Sequence, residues 1–427
     1  MSIELLSPAG NLEKLRLAFA YGADAAYLGL SDFSLRSNAG NFTEADLDQV
    51  RLLKMQSGKR LYCTLNMLFD EQKLASLSQE LETIRTWPFD AYIISDIGLV
   101  PILQDALGPE VELHLSTQAS CTNSSSARMY QRMGFSRVIL GRETPLDDIR
   151  RIKDANPDLE LEVFVHGAMC MAYSGRCLLS SHLAGRSANQ GDCSHTCRWN
   201  YRLAATDELS RVLASGELAL EEEQRKGVYY PIAEEDGYTT ILSSKDLCMI
   251  DHLKELVDAG IDSLKIEGRM KSSYYVAVVS RAYRKALDAL SDEHLDWKAY
   301  RSDLFNISHR EYSTGFFFGH GPVDPTMGSS IDKSTELGYL RQYLFCGYIG
   351  EEVESGIYAL DLKNQIRSGM TLQFIEPDTP FIQDDSFTLL DAQMQVIAQA
   401  DHGKIQYLKT DKHLKKGSII RRETMVK

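Results

Sequence analysis

Eight short apolar runs recur through the first 290 residues, and amphipathic helical patterns separate most of them. The runs are Ile3–Ser7, Ala25–Leu30, Arg60–Leu65, Ala91–Ser95, Glu112–Ser116, Ser136–Leu140, Leu161–His166 and Ser263–Glu267. The intervening helices include Glu71–Thr86 and Thr144–Ala155. A strand followed by a helix, repeated, dictates parallel strands joined by right-handed crossovers. Eight such units close into a (β/α)8 TIM-like barrel, and ~250 residues plus an insertion fits its usual size. An open doubly wound sheet is the competing arrangement, weakened because no Gly-x-Gly-x-x-Gly phosphate loop follows the first strand.

The seventh run leads directly into a cysteine-rich insertion, residues 167–248, and roughly ninety residues separate it from the eighth run. An elaborated loop at the C-terminal end of a barrel strand lies on the face where barrel enzymes carry their active sites. Residues 205–240 are charged, notably Glu217–Lys226, as expected of a surface excursion. After a helix over Ser272–Leu290 the pattern changes. From Leu337, the runs Gly356–Leu362, Thr371–Ile375, Ser386–Leu390 and Ser418–Arg421 alternate with turn residues, which predicts a small antiparallel β-barrel domain. The expected organisation is a barrel domain over 1–290, a connecting segment over 291–336 and a β-rich domain over 337–427. The Gly/Pro-rich stretch Phe318–Ser330 falls in the connecting segment.

The sequence start has no basic segment followed by a long apolar run, and no apolar stretch approaches the ~18 residues a membrane span needs. A cytoplasmic location is the expectation, where thiols stay reduced and clustered cysteines bind metal rather than pair as disulfides. Of the eight cysteines, Cys63, Cys121 and Cys346 stand apart in apolar contexts and read as small buried hydrophobes. The net charge of −14 opposes nonspecific binding to a phosphate backbone. The last 27 residues differ, with eight Lys/Arg against three Asp/Glu. Lys415, Lys416, Arg421 and Arg422 flank a turn at Gly417 and are the candidate RNA contacts; a solvated basic tail is the competing reading.

Cys170, Cys177, Cys193 and Cys197 lie within 28 residues, separated by six, fifteen and three residues, and Cys248 follows in Ser-Ser-Lys-Asp-Leu-Cys. Thiolates are soft donors that suit zinc or iron–sulfur clusters. Structural zinc favours closely paired ligands, and a first gap of six with a second of fifteen resembles no zinc finger, whereas separated cysteines among Gly and Ser suit a [4Fe–4S] cluster. Five cysteines compete for four positions. Cys197 is nearest in sequence; Cys248 reads as opening a helix over Leu247–Ala259 after strand-like Tyr238–Leu242, and helix N-termini stabilise thiolates.

Several strands end in polar residues: Ser7-Pro-Ala-Gly10, Thr64-Leu-Asn66, Ser116-Thr-Gln118, Gly141-Arg-Glu143, His166-Gly167 and Lys265-Ile-Glu267-Gly-Arg269. In a barrel these converge around one mouth. His166 is a candidate general base. Lys265 and Glu267 share strand parity and face the interior, as catalytic groups or as an ion pair fixing the barrel floor. Arg36, Arg142 and Arg269 are candidates for a carboxylate or phosphate clamp, with Asn66 and Gln118 as further substrate contacts.

The segment Glu162-Val-Phe-Val-His-Gly-Ala-Met-Cys170-x4-Gly175-Arg-Cys177-Leu-Leu-Ser180 resembles the signature of the collagenase-like peptidase family of unassigned mechanism, family U32. The resemblance continues through Ser7-Pro-Ala-Gly-Asn-Leu-Glu-Lys14, Gly22-Ala-Asp-Ala-Ala-Tyr-Leu-Gly29, Ser116-Thr-Gln118, Lys265-Ile-Glu-Gly-Arg269 and Ser308-His-Arg-Glu-Tyr-Ser-Thr-Gly315. With Gly191-Asp-Cys193-Ser-His-Thr-Cys197-Arg-Trp199, it is most similar to the branch that hydroxylates the tRNA wobble uridine at C5 with prephenate as partner metabolite. Other branches hydroxylate 23S rRNA cytidine or ubiquinone. The resemblance to the ubiquinone branch implies a [4Fe–4S] cluster held by Cys170, Cys177, Cys193 and Cys248. It implies an RNA-modifying oxidoreductase acting on tRNA. A collagenase-like peptidase and a zinc-stapled RNA-binding module are the alternatives. Peptidase chemistry is disfavoured, because no Ser/His/Asp, Cys/His/Asn or His-Glu-x-x-His arrangement is present.

Overall fold

The computed structural model describes residues 3–30, 42–170, 172–174, 176–177, 180, 193, 196–198, 219–221, 229–231, 233–235, 238–240, 244–319 and 340–424. The chain forms two compact units. One comprises residues 1–19, 23–271 and 310–339, the other 20–22, 272–309 and 340–427.

The first unit is a closed parallel barrel. Its strands are β1 (Glu4–Pro8), β2 (Ala25–Leu28), β3 (Arg60–Leu65), β4 (Ala91–Ile94), β5 (Leu113–Leu115), β6 (Phe135–Ile139) and β7 (Glu160–Ala168), with Ser263–Ile266 as the eighth. Each pairs in parallel with its sequence neighbour, and the eighth pairs with both β7 and β1. Strands such as Ala-Ala-Tyr-Leu in β2 and Ala-Tyr-Ile-Ile in β4 are buried throughout, as strands covered on both faces require. Helix starts are fixed by side-chain caps: Asp70 accepts from the Lys73 amide at 2.8 Å and Asn123 from the Ser126 amide at 2.9 Å. All eight expected strands are present, so closure into a barrel replaces the doubly wound alternative. No helix among the described residues is long and apolar enough to cross a membrane.

The barrel floor is charged. Arg137 on β6 is buried and bridges Glu4 on β1, Glu160 and Glu162 on β7. Tyr62 and Ser263 both donate to Glu4. One layer up, the Lys265 ammonium donates to Glu162 Oε1 at 2.7 Å and lies 4.6 Å from the centroid of the Tyr27 ring. These side chains come from β1, β2, β3, β6, β7 and the eighth strand, so the network laces the barrel across its diameter. Low dielectric strengthens each contact while making any unpaired member costly.

Within the cysteine-rich insertion, short antiparallel pairs join Ala219–Glu221 to Tyr229–Pro231 and Ala233–Glu235 to Tyr238–Thr240.

The second unit contains the helix Ser273–Ala289, capped by Ser272, and an eight-stranded antiparallel sheet. The sheet order is Ile382–Asp384, Leu372–Ile375, Ile419–Glu423, Tyr343–Glu354, Ile357–Leu362, Tyr407–Lys409, Thr388–Leu390 and Val396–Ile397. The expected antiparallel β-barrel domain is present as a half-barrel, since no pairing joins its two edges among the described residues. Its core is apolar, with Ile349, Tyr358, Phe374, Leu389, Leu408 and Ile420 all buried. Helix and sheet are tied by charge: Asp303 accepts from Arg281 and, at 2.7 Å, pairs with Arg421. Residues 320–339, which hold most of the Gly/Pro-rich segment, lie outside the described residues.

Candidate functional site: the cysteine loop at the barrel mouth

The polar strand ends gather at the C-terminal mouth of the barrel. Arg269 is buried beyond the eighth strand, and its Nη1 donates to Thr64 Oγ1 at the end of β3 (2.8 Å). Its carbonyl accepts from Lys14 Nζ at 3.0 Å. A Cβ at Gly10 would sit 2.6 Å from that same carbonyl oxygen. The glycine of Ser-Pro-Ala-Gly is therefore required by the close approach of two barrel loops. Arg142 lies over the Phe164 ring, 4.0 Å from its centroid, with Nη2 3.7 Å from Glu267 Oε2. Its side chain is about nine-tenths buried at 10% exposure, yet its fork makes no hydrogen bond among the described residues.

The expected Lys265–Glu267 pairing is replaced by two others. Lys265 is paired with Glu162 below the mouth, and Glu267 with Arg142 at the mouth. Strand parity is right for both, but a two-residue step along the strand separates a buried layer from a partly open one. Burial pushes the Lys265 ammonium below its ordinary value, against the pull of Glu162. Of the two readings offered for Lys265, the interior ion pair is the one the geometry displays, with Glu162 as its partner.

The cysteine segment leaves directly from β7, and a short strand, Asp246–Cys248, returns antiparallel to it with Cys248 opposite His166. On its other side Tyr312–Ser313 pairs in parallel. Cys248 thus belongs to a strand, not to the opening of a helix over Leu247–Ala259; the helix runs only over Leu253–Asp258 after a 3-10 turn. Long-range pairing with β7 overrides the local helical pattern. Directly paired residues point to one face, so Cys248, His166, Asp246 and Tyr312 share a face. The His166 and Tyr312 rings lie 5.3 Å apart. Asp246 accepts from Arg310 through its backbone amide (3.1 Å), Nε (3.1 Å) and Nη2 (2.6 Å). Ser244 Oγ donates to the carbonyl of Met169, the residue before Cys170, at 2.8 Å.

A second anchor holds the start of the cysteine segment. Ser174, between Cys170 and Cys177, donates to Glu143 Oε2 at 3.2 Å, its hydroxyl lies 3.4 Å from that of Thr117, and its carbonyl accepts from Ser120. Glu143, Thr117 and Ser120 follow β6 and β5, so two barrel loops grip this segment.

The eight cysteines divide by environment. Cys63, Cys121 and Cys346 are buried, and burial raises their thiols, Cys121 and Cys346 to about 11 each. Burial likewise raises Cys63. Such thiols are inert. Cys170 is exposed, and Cys177, Cys193, Cys197 and Cys248 are partly exposed. This donor set suits a soft metal centre. Among the described residues, no three Cys, His, Asp or Glu side chains converge on one metal position.

The remaining expected site residues separate clearly. Arg36 lies outside the described residues. The carbonyl of Asn66 accepts from Ser95, and Gln118 sits in a 3-10 turn capped by Ser116. Lys415 and Lys416 are exposed, beside Glu376 and Glu351 respectively, and Arg422 bonds the Glu423 carbonyl at 3.2 Å. Arg421 is corrected: at 1% exposure it is bonded to Tyr274, Gln373 and Asp303 and cannot reach a phosphate. Sequence reasoning missed Arg137 and the Asp246–Arg310 pair, and it noted Glu162 only within the signature and Glu143 only as a polar strand end. The available signal was a charged residue inside an otherwise apolar strand run, as Glu162 is.

The match to the model described as Peptidase family U32 covers residues 10–325, and that of its C-terminal domain residues 341–421. The tRNA hydroxylation protein P of Escherichia coli is 37% identical over 401 residues, covering 88% of this chain and 86% of that protein. The tRNA hydroxylation protein P1 of Bacillus subtilis is 34% identical over 425 residues, covering 98% and 94%. A protein named collagenase from Porphyromonas gingivalis is 30% identical, covering 83% of each chain. Two matched domains in the same order, on a barrel whose signature cysteines sit at its mouth, leave one assignment: the chain belongs to peptidase family U32.

Proposed function

We propose that this protein hydroxylates the wobble uridine of tRNA at C5, using a [4Fe–4S] cluster at the barrel mouth and prephenate as partner metabolite. The reading rests on RNA hydroxylation in the names of its full-length relatives. The observation that carries it here is the return of Cys248 to β7, beside the strand end that launches Cys170, Cys177 and Cys193. Cys170, Cys177, Cys193 and Cys248 would hold the cluster, and Cys197 is the alternative fourth ligand. A bound cluster supplies one-electron chemistry. His166, facing Cys248, is the candidate base. Loss of the modified uridine on deletion of the gene is the test of the reaction.

Arg142 is the strongest candidate to hold a carboxylate of the partner metabolite, because its stacked, sheltered fork retains its hydrogen-bonding capacity. Arg269 and Arg36 complete the proposed clamp. Arg142→Lys keeps the charge and loses the planar fork. At ~1.5–3 kcal/mol for charge-assisted hydrogen bonds, prephenate affinity should fall about 10- to 100-fold with iron content unchanged. Calorimetric titration of prephenate checks this, and wild-type affinity in the variant would remove Arg142 from the clamp.

Lys415 and Lys416 are proposed to contact tRNA phosphate. Each phosphate contact contributes about 0.7 to 0.9 to the logarithmic salt slope, so the double Ala variant should bind tRNA with a slope shallower by about 1.4 to 1.8. Filter binding across a salt series measures it. An unchanged slope would make these lysines a solvated surface.

A further inference from the structure

The motif Ser308-His-Arg-Glu-Tyr-Ser-Thr-Gly315 is not used by any of the roles assigned above, although its strand touches the proposed cluster loop. We infer that Arg310 is a positioning residue that latches Cys248 in place as a cluster ligand. The inference rests on the proposal that Cys248 is that ligand.

The strand carrying Cys248 is only three residues long and has β7 on one side and Tyr312–Ser313 on the other. Three residues of ladder cannot fix a strand by themselves, because each ladder hydrogen bond is worth only about 1 kcal/mol net. The Asp246 carboxylate supplies the missing restraint. It receives three hydrogen bonds from one residue, Arg310, two from the guanidinium and one from the backbone amide, with both side chains almost fully buried. In return the Asp246 amide donates to the Glu311 carbonyl at 2.8 Å. Bonds in both directions fix the register Asp246↔Tyr312 and Leu247↔Ser313. A one-residue slip would turn Cys248 to the opposite face of the sheet, away from His166 and Tyr312.

The same element is pinned on the β7 side. The Met249 amide donates to the Val165 carbonyl at 2.9 Å, and Ser244 Oγ holds the Met169 carbonyl. Position and face of Cys248 are thus set by groups that do not themselves offer sulfur. A planar fork against a carboxylate fixes orientation as well as distance, which a lysine ammonium does not.

The test uses the full chain, reconstituted anaerobically with iron and sulfide, in five forms: wild type, R310K, R310M/D246L, C248A and C197A. Three readouts are taken: the rate of iron loss to a chelator, the electron paramagnetic resonance spectrum of the reduced protein, and the melting temperature of the iron-free protein. Replacing both partners of a buried ion pair with apolar side chains is commonly tolerated, so iron-free R310M/D246L should melt close to wild type. Its iron should be lost about 10- to 100-fold faster, the usual cost of removing a group that orients a metal ligand, with an altered spectrum. R310K should fall between the two. Wild-type iron retention and spectrum in folded R310M/D246L, with the cluster lost in C248A, overturn the latch alone. If the double variant does not fold, the same outcome in R310K overturns it. Retention of the cluster in C248A overturns the ligand assignment itself, and the latch with it.

Discussion

Glu162→Ala is expected to lower the unfolding free energy by about 3–5 kcal/mol, the usual cost of stranding a buried charge. Glu162 is completely buried between Arg137 and Lys265. Among the described residues, its removal takes away the one carboxylate bonded to Lys265 and leaves Arg137 with Glu4 and Glu160. The loss is also expected to depend on pH. Burial alone would raise the Glu162 carboxyl; the Lys265 and Arg137 cations reverse this and hold it below its ordinary 4.5. A depressed folded-state carboxyl contributes stability above its unfolded value and loses it as pH falls through the folded one. The gap between wild type and variant should therefore be fully present near neutrality and shrink below about pH 4.5. Burial lowers the His114 imidazole beneath its ordinary 6.5 against an upward pull from Glu162, so His114 adds destabilisation in acid to wild type and more to the variant, where that pull is gone. Urea titrations at neutral and acid pH measure both effects. A variant as stable as wild type near neutrality would show that the floor network is energetically idle.

The second large effect is on iron. If the proposed [4Fe–4S] cluster is held by these four thiolates, Cys170→Ala, Cys177→Ala, Cys193→Ala and Cys248→Ala are each expected to lose most cluster binding after anaerobic reconstitution. Cys197→Ala should retain most of its iron. Cys248 lies on a strand flanked by β7 and Tyr312–Ser313 at the barrel mouth, opposite His166. Wild-type protein should be brown when purified without oxygen. A colourless protein containing zinc would favour the zinc-stapled alternative, and loss of iron in Cys197→Ala with full iron in Cys248→Ala would exchange the fourth ligand.

The barrel was legible in the sequence because each of its strands is short, apolar and set between longer helical patterns. β3 and the helix Glu71–Thr86 match to the residue. The strand carrying Cys248 was not. Its pattern passes locally for the start of a helix, and only pairing with a strand nearly eighty residues earlier makes it extended. Arg421 was misread for a related reason. Ile419-Ile-Arg-Arg422 looks like a strand with a charged outer edge, but its register sets Arg421 opposite Gln373 and Phe345, with its guanidinium on Asp303. A buried charge in an apolar run can be noticed locally, but its neighbourhood does not name the distant partner. The cysteine segment was the reverse case: composition alone singled it out, because thiols carry their chemistry in their residue type.

The most direct test of the proposed function is mass spectrometry of tRNA nucleosides from cells with the gene, without it, and without it but complemented by Cys170→Ala. Loss of C5-hydroxylated wobble uridine in the deletion, restored by wild type and not by the Cys170 variant, is the predicted result. An unchanged level of the modified uridine in the deletion, or full restoration by Cys170→Ala, would contradict the account.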